Sequence, residues 1–307
     1  MDELPVSARG LVKRYGDVVA LAGVDLTVER GDVYGFLGPN GAGKTTALRV
    51  LLGLIHPSAG TARLFGRDPQ TELPEALDGV GGFVETPAFY PYLSGRKNLE
   101  LLAAFDNDGG TGRIDALLEL VDLSGRARDR VGTYSQGMRL RLGIAAALLR
   151  DPRLLILDEP TNGLDPGGMR DVRALVRRLA GEGITILLSS HLLAEVEEVC
   201  SRVAIIRTGS IVYEGSLEGL RAQAAPTYRL RPTDVAHART VLAARPDVRD
   251  VAVEGEELSF SADEAAVVEV SRALVNAGVG IAALIPEAPS LERLFFELTE
   301  EAGREAA

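Results

Sequence analysis

Apolar residues change period several times along this chain, and the changes divide it into segments. Leu11-Val12-Lys13-Arg14-Tyr15-Gly16 and Ala22-Gly23-Val24-Asp25-Leu26-Thr27-Val28 alternate as half-buried antiparallel strands do. Val33-Tyr34-Gly35-Phe36-Leu37, Leu154-Leu155-Ile156-Leu157, Thr185-Ile186-Leu187-Leu188-Ser189-Ser190 and 203–207 are short, mostly apolar runs. Runs of this length predict strands buried on both faces, and their alternation with helix-like segments, such as 45–54, predicts an α/β architecture. A further strand at 211–213 follows the turn Thr208-Gly209-Ser210. From about 88 to 150 the pattern is mostly helical, broken by Asp106-Asn107-Asp108-Gly109-Gly110. This stretch is predicted to be a helical insertion in the α/β core.

A composition break at Arg221-Ala222-Gln223-Ala224-Ala225-Pro226 predicts two domains, 1–221 and 222–307. The second has strands at 227–231, 248–253, 257–261 and 279–285, and helices at 233–244, 263–277 and 290–301. That order, βαββαβ plus a terminal helix, suits a small α+β ferredoxin-like domain. It holds 15 Asp/Glu against 8 Lys/Arg, so it carries −7 of the net −11. It has no chemical motif, which makes it an accessory module, regulatory or dimerising.

The whole chain has 307 residues, 46% hydrophobic and 25% charged, enough for one large core and a smaller one. A net charge of −11 and a pI of about 4.9 lack the basic footprint of a nucleic-acid binder, so no nucleic-acid partner is expected. Cys200 is the single cysteine, which excludes a disulfide framework and Cys/His zinc spacing and fits a reducing cytosol. Met1 to Ser7 carry two acids and a proline rather than a signal sequence, and no run reaches 18 apolar residues. The chain is therefore expected to reach a membrane only by docking onto a partner.

Gly38-Pro39-Asn40-Gly41-Ala42-Gly43-Lys44-Thr45 lies between a strand-like run and a helix-like one. This is the setting a phosphate-binding loop requires, with successive backbone N–H groups curled into one concavity. Lys44 is placed to reach β- and γ-phosphates, and the Thr45 hydroxyl to join Mg²⁺. Only three lysines occur (Lys13, Lys44 and Lys97), so Lys44 is not drawn from a lysine-rich background. Asp158 and Glu159 end the run 154–157, at the strand edge where α/β sheets hold ligands. Side chains alternate there, so Asp158 would orient Mg²⁺, directly or through water, and Glu159 would polarise the attacking water. In isolation the pair is also an exposed acidic strand end; the upstream phosphate loop favours chemistry. His191 follows 185–190 and is placed to hydrogen-bond a γ-phosphate, although a lone histidine is more often structural. Ser135-Gln136-Gly137-Met138, before an apolar-periodic run, is by residue type a capped helix start.

In order and spacing these motifs resemble the nucleotide-binding subunit of an ATP-binding-cassette (ABC) transporter, over residues 7 to about 221. The resemblance implies a P-loop NTPase cassette, a RecA-like core with antiparallel β and helical subdomains. It makes Tyr15 the aromatic that stacks on adenine and Gly38 to Thr46, including Thr45 and Thr46, the phosphate loop. Tyr134-Ser135-Gln136-Gly137-Met138 stands at the family's signature, Asn162-Gly163-Leu164-Asp165 at the loop that crosses the dimer, and His191 at the switch histidine. In that family the signature of one subunit completes the ATP site of the other. A homodimer around two ATP–Mg²⁺ is thus implied, with Ser135 and Gly137 touching the γ-phosphate across the interface. Lys44, Glu159 and His191 are the implied catalytic group; Thr45, Asp158 and Glu85 the metal group. Two departures stand out. Gln136 and Met138 depart from the usual Leu-Ser-Gly-Gly-Gln, and Glu85 replaces a glutamine, giving a stronger metal ligand that cannot donate a hydrogen bond.

The stretch 85–99, the signature and the tail 289–299 narrow the resemblance to ABC-2-type exporters, and among them to ATPases of bacterial peptide-antibiotic and drug efflux. This implies an ATPase at the cytoplasmic face of the membrane, cytosolic when free. It would power export through a separate permease subunit, with antibiotic resistance as its setting. Phe89, Tyr90, Tyr92 and Leu93 form either a groove for a permease helix or ordinary packing under a loop. Export of lipid, polysaccharide or sodium ion fits these residues equally, because cargo contacts lie in the partner. A soluble cassette ATPase acting on ribosomes or DNA is disfavoured by the single cassette and the acidic charge. A regulator that binds ATP without hydrolysis is disfavoured by Glu159 and His191.

Overall fold

The mostly apolar runs of the first 217 residues become strands whose two faces are both covered. The computed structural model describes residues 3–105, 110–223, 226–287 and 291–300. Residues 106–109 of the expected loop, Ala224 and Ala225 of the composition break, and Pro289 and Ser290 of the tail lie outside the described residues. Two compact units result, Met1–Leu217 and Glu218–Ala307.

In chain order the first unit contains β1 (Val6–Tyr15), β2 (Val18–Val28), β3 (Val33–Leu37), α1 (Lys44–Leu51), β4 (Ala59–Leu64), α2 (Leu73–Ala76) and β5 (Val80–Phe83). Next come α3 (Gly95–Ala103), α4 (Ile114–Leu120) and α5 (Gln136–Ala147), joined through short 3₁₀ turns. The unit continues with β6 (Leu154–Leu157), α6 (Pro166–Gly181), β7 (Thr185–Ser190), α7 (Leu193–Val199), β8 (Arg202–Arg207) and β9 (Ser210–Ser216). Strands in the order β5-β6-β7-β3-β8-β9 form one sheet, parallel except for β9. The alternating opening segments form an antiparallel sheet, β2-β1-β4.

α1 buries Leu48, Val50 and Leu51 in a core shared with Val6 and Leu26 of the antiparallel sheet and Phe36, Ile156 and Leu187 of the larger one. Every residue of β3, β6 and β7 is buried. Each such leucine or isoleucine contributes about 2 kcal/mol of transfer free energy. The parallel register sets Leu37 beside Ser190 and Leu157 beside Leu188. The C-terminal ends of β3, β6 and β7 therefore meet at one edge, which is where the site lies.

Two strands escape the hydrophobic pattern. β5 reads Val80-Gly81-Gly82-Phe83, and a Cβ at Gly82 would stand 2.1 Å from the Ile156 carbonyl oxygen. Its glycines permit close approach to β6 in place of the side chains that mark a strand. β4 turns only Ala62 and Leu64 inward.

The second unit follows α8 (Leu217–Gln223), which spans the division. It comprises β10 (Thr227–Pro232), α9 (Val235–Ala243), β11 (Arg249–Glu254), β12 (Glu257–Ser261), α10 (Glu264–Asn276) and β13 (Ile281–Glu287), then α11 (Leu291–Glu300). The strands pair antiparallel as β11-β12-β10-β13, the βαββαβ arrangement of a ferredoxin-like sheet. Leu230, Leu258 and Phe260 pack there with Leu242, Val270 and Leu274 of its helices.

Candidate active site

The loop after β3 leads straight into α1. Gly43, the N-cap residue, has φ +111°, and a Cβ would lie 2.5 Å from the Ala20 carbonyl oxygen. Glycine alone satisfies both the backbone and the packing. No side chain caps this N-terminus, so the first-turn amides of Lys44, Thr45 and Thr46 are left for an anion. Pro39, Asn40, Gly41 and Ala42 complete the loop, with Asn40 and Gly41 exposed.

Lys44 is only 5% exposed. Its ammonium folds back to donate to the carbonyls of Gly38 (2.7 Å) and Pro39 (3.2 Å), and pairs with Glu159 Oε1 at 3.1 Å. Glu159 leaves β6 with φ +48°, a left-handed conformation that costs a non-glycine residue on the order of 1 kcal/mol or more. His191 Nδ1 lies 2.7 Å from its other oxygen, Oε2. The ends of three strands thus deliver Lys44, Glu159 and His191 into one chain of contacts.

Asp158 forms the adjoining group. Its Oδ2 accepts from Thr45 Oγ1 at 3.0 Å, and its Oδ1 from Ser189 Oγ at 2.5 Å. The Ser189 hydroxyl also accepts from the Glu159 backbone N–H at 2.9 Å. Residue type alone did not single out Ser189. The register signals it, since pairing Leu157 with Leu188 brings Asp158 beside Ser189. A hydroxyl and a carboxylate are the hard oxygen donors that suit Mg²⁺. Among the described residues no cluster of three or more His, Cys, Asp or Glu is able to hold a metal. A cation here would take its remaining ligands from phosphate and water.

The other expected residues lie apart from this group. Tyr15 ends β1, 47% exposed, with the Lys13 ammonium 5.0 Å from its ring centroid. Glu85, at φ +66°, directs its carboxylate to an ion pair with Arg49 of α1 rather than to Thr45 or Asp158. Ser135 caps α5, accepting from the Met138 N–H at 3.2 Å, and Gln136 Nε2 donates to the Asn162 carbonyl at 2.8 Å. Asp165 caps α6, accepting from the Gly168 N–H at 3.2 Å. Ser135, Gln136, Gly137 and Asp165 line one cavity of about 400 Å³, a second cluster. A further cavity of about 360 Å³ is lined by Phe83, Pro87, Phe89, Leu102 and Phe105 among others. Tyr90 and Tyr92 are exposed, their rings 5.8 Å apart. Among the described residues no helix is long and apolar enough to cross a membrane.

The chain is similar to known proteins. The ABC transporter family model matches residues 21–162. The chain is 37% identical to an uncharacterized ABC transporter ATP-binding protein of Bacillus subtilis, YdbJ, over 99% of both chains. It is 41% identical to the bacitracin transport ATP-binding protein BcrA of Bacillus licheniformis over 81% of each. A solved ATP-binding subunit of an ABC transporter matches with a TM-score of 0.64 at 29% identity, covering 71% of this chain and 92% of that one. With the phosphate loop, the acidic strand end and near-complete coverage of a relative, the chain belongs to the ATP-binding proteins of ABC transporters and is an ATPase of that family.

Proposed function

We propose that this chain is the ATPase subunit of an ABC-2-type exporter, driving a drug or peptide antibiotic through a separate membrane permease. One observation carries the reading: Lys44, Glu159 and His191 are joined at the strand ends, beside the Thr45–Asp158 pair. Lys44 exchanges its loop carbonyls for the β- and γ-phosphates of ATP, whose adenine stacks on Tyr15. Thr45 and Asp158 would hold Mg²⁺, which would supply charge neutralisation at the phosphates. Glu85 would have to leave its ion pair with Arg49 to join them. Glu159 takes the proton of the attacking water, and His191 holds Glu159 and hydrogen-bonds the γ-phosphate. Ser135 and Gly137 approach the γ-phosphate bound by the other copy in a homodimer, with Asp165 on the crossing loop.

Likeness to a bacitracin transport ATP-binding protein supports the exporter class. The aromatic cavity around Phe89 and the exposed Tyr90 and Tyr92 fit a permease helix, which would place the subunit at the cytoplasmic face of the membrane.

The test is Glu159→Gln, which keeps the shape but removes the base. With ATP–Mg²⁺ the variant should form a stable dimer by light scattering while its turnover falls at least about 100-fold. From native membranes it should retain a polytopic membrane protein. A monomer that hydrolyses ATP at the wild-type rate would sink the assignment of the base. Retention of ribosomal proteins in place of a membrane protein would sink the exporter.

A further inference from the structure

We propose that Ser189 is a positioning residue for ATP hydrolysis, its single hydroxyl fixing both the metal-side carboxylate and the backbone of the water-activating glutamate. The inference rests on the roles proposed above for Asp158 and Glu159. Ser189 has no exposed surface. A serine hydroxyl has one proton to give, and here it goes to Asp158 Oδ1. A lone pair then accepts the Glu159 N–H, a group that can only donate. The polarity of the whole link is therefore fixed.

Its effect reaches each side of the site. With Oδ1 held by Ser189, Asp158 presents Oδ2 to Thr45. With its N–H held, Glu159 keeps the left-handed backbone that carries its carboxylate to Lys44 and His191. A strained conformation persists only where neighbours over-determine it, and the Ser189 hydroxyl supplies one such restraint. The adjacent Ser190 points the opposite way, as strand alternation requires. It donates to Glu195 Oε2 (2.7 Å) and accepts from the Leu192 N–H (3.0 Å), tying down the segment that carries His191. Two neighbouring serines thus brace opposite sides of the phosphate-facing edge, and Ser189 holds both acids.

Ser189→Thr and Ser189→Val test this as a pair, because they share a shape and differ in the hydroxyl; Ser189→Ala removes the group outright. Turnover and KM are measured for each. Binding of a fluorescent ADP analogue is measured in EDTA and across a Mg²⁺ titration. Val and Ala should lower kcat about 10- to 100-fold and raise the Mg²⁺ needed for half-maximal tightening by about tenfold, as loss of an outer-shell partner does. Their analogue binding in EDTA should stay within about twofold of wild type, and Thr should recover most of kcat. Val and Thr turning over equally, or a Mg²⁺ requirement unchanged in Val and Ala, would overturn the proposal. So would equal loss of binding in EDTA, which would make Ser189 a plain structural support. Glu159→Gln hydrolysing at the wild-type rate overturns the parent reading instead, so the two failures are distinguishable.

Discussion

At the scale of single residues, burial decides what each group can do. Lys44 and Asp158 are both buried, and both are committed to oxygen partners that ATP and Mg²⁺ would replace or share. Cys200 is buried to opposite effect. Burial pushes its thiol far above the ordinary cysteine range, and the nearby negative charge of Glu195 pushes it further. The folded state holds this proton more tightly than the unfolded state, whose thiol titrates at about 8.5. Its contribution to folding is therefore complete below that value and is lost as pH rises above it. The thiolate, the reactive form, stays scarce in the folded protein. At pH 8 iodoacetamide should label Cys200 only as fast as urea unfolds the chain. Labelling of native protein at the rate of a free thiol would show that the β7–α7 region opens locally.

At the scale of elements, the signature helix separates two meanings of one serine. Ser135 accepts from the Met138 N–H, so as a cap it is worth about 1 kcal/mol, and aspartate would serve equally well. If it also meets a γ-phosphate across a dimer, aspartate sets a negative charge against a negative one. Ser135→Asp should therefore melt within about 0.5 kcal/mol of wild type yet lose ATP-driven dimerisation and most turnover, whereas Ser135→Ala should lose about 1 kcal/mol as well. Full activity in the aspartate variant would leave Ser135 a cap and nothing more. The elements themselves were legible where side chains carry the signal. The leucine-rich β6, the opening alternation of β1 and β2, and the loop from Gly38 to Thr45 all announce themselves by residue type. β5 did not, because Gly81 and Gly82 trade hydrophobic side chains for close backbone approach. Ser189 did not either: its role comes from the register of β6 against β7, a long-range fact that local periodicity does not contain. Nor did the sequence show that Glu85 faces Arg49, since that contact joins segments 36 residues apart.

At the scale of the whole molecule, among the described residues one hydrophobic core gathers around Phe36 and Leu48 and another around Leu230 and Phe260, with no member in common. No sheet contributes to both, and every residue of the Lys44–Glu159–His191 group belongs to the first unit. The acidic surplus is unevenly divided, with −7 of the −11 lying from residue 222 onward. Nucleotide binding should therefore survive removal of the second unit. A fragment ending at Gln223 should bind a fluorescent ADP analogue with Mg²⁺ within about threefold of the full chain, because no proposed ligand is lost. Calorimetry of the full chain should show a transition that the fragment lacks, and 0.5 M NaCl should raise that transition by screening its self-repulsion. Loss of binding in a folded fragment would mean that the acidic unit shapes the nucleotide site. A module without chemistry of its own would then act as a regulator of turnover rather than as an independently folded appendage.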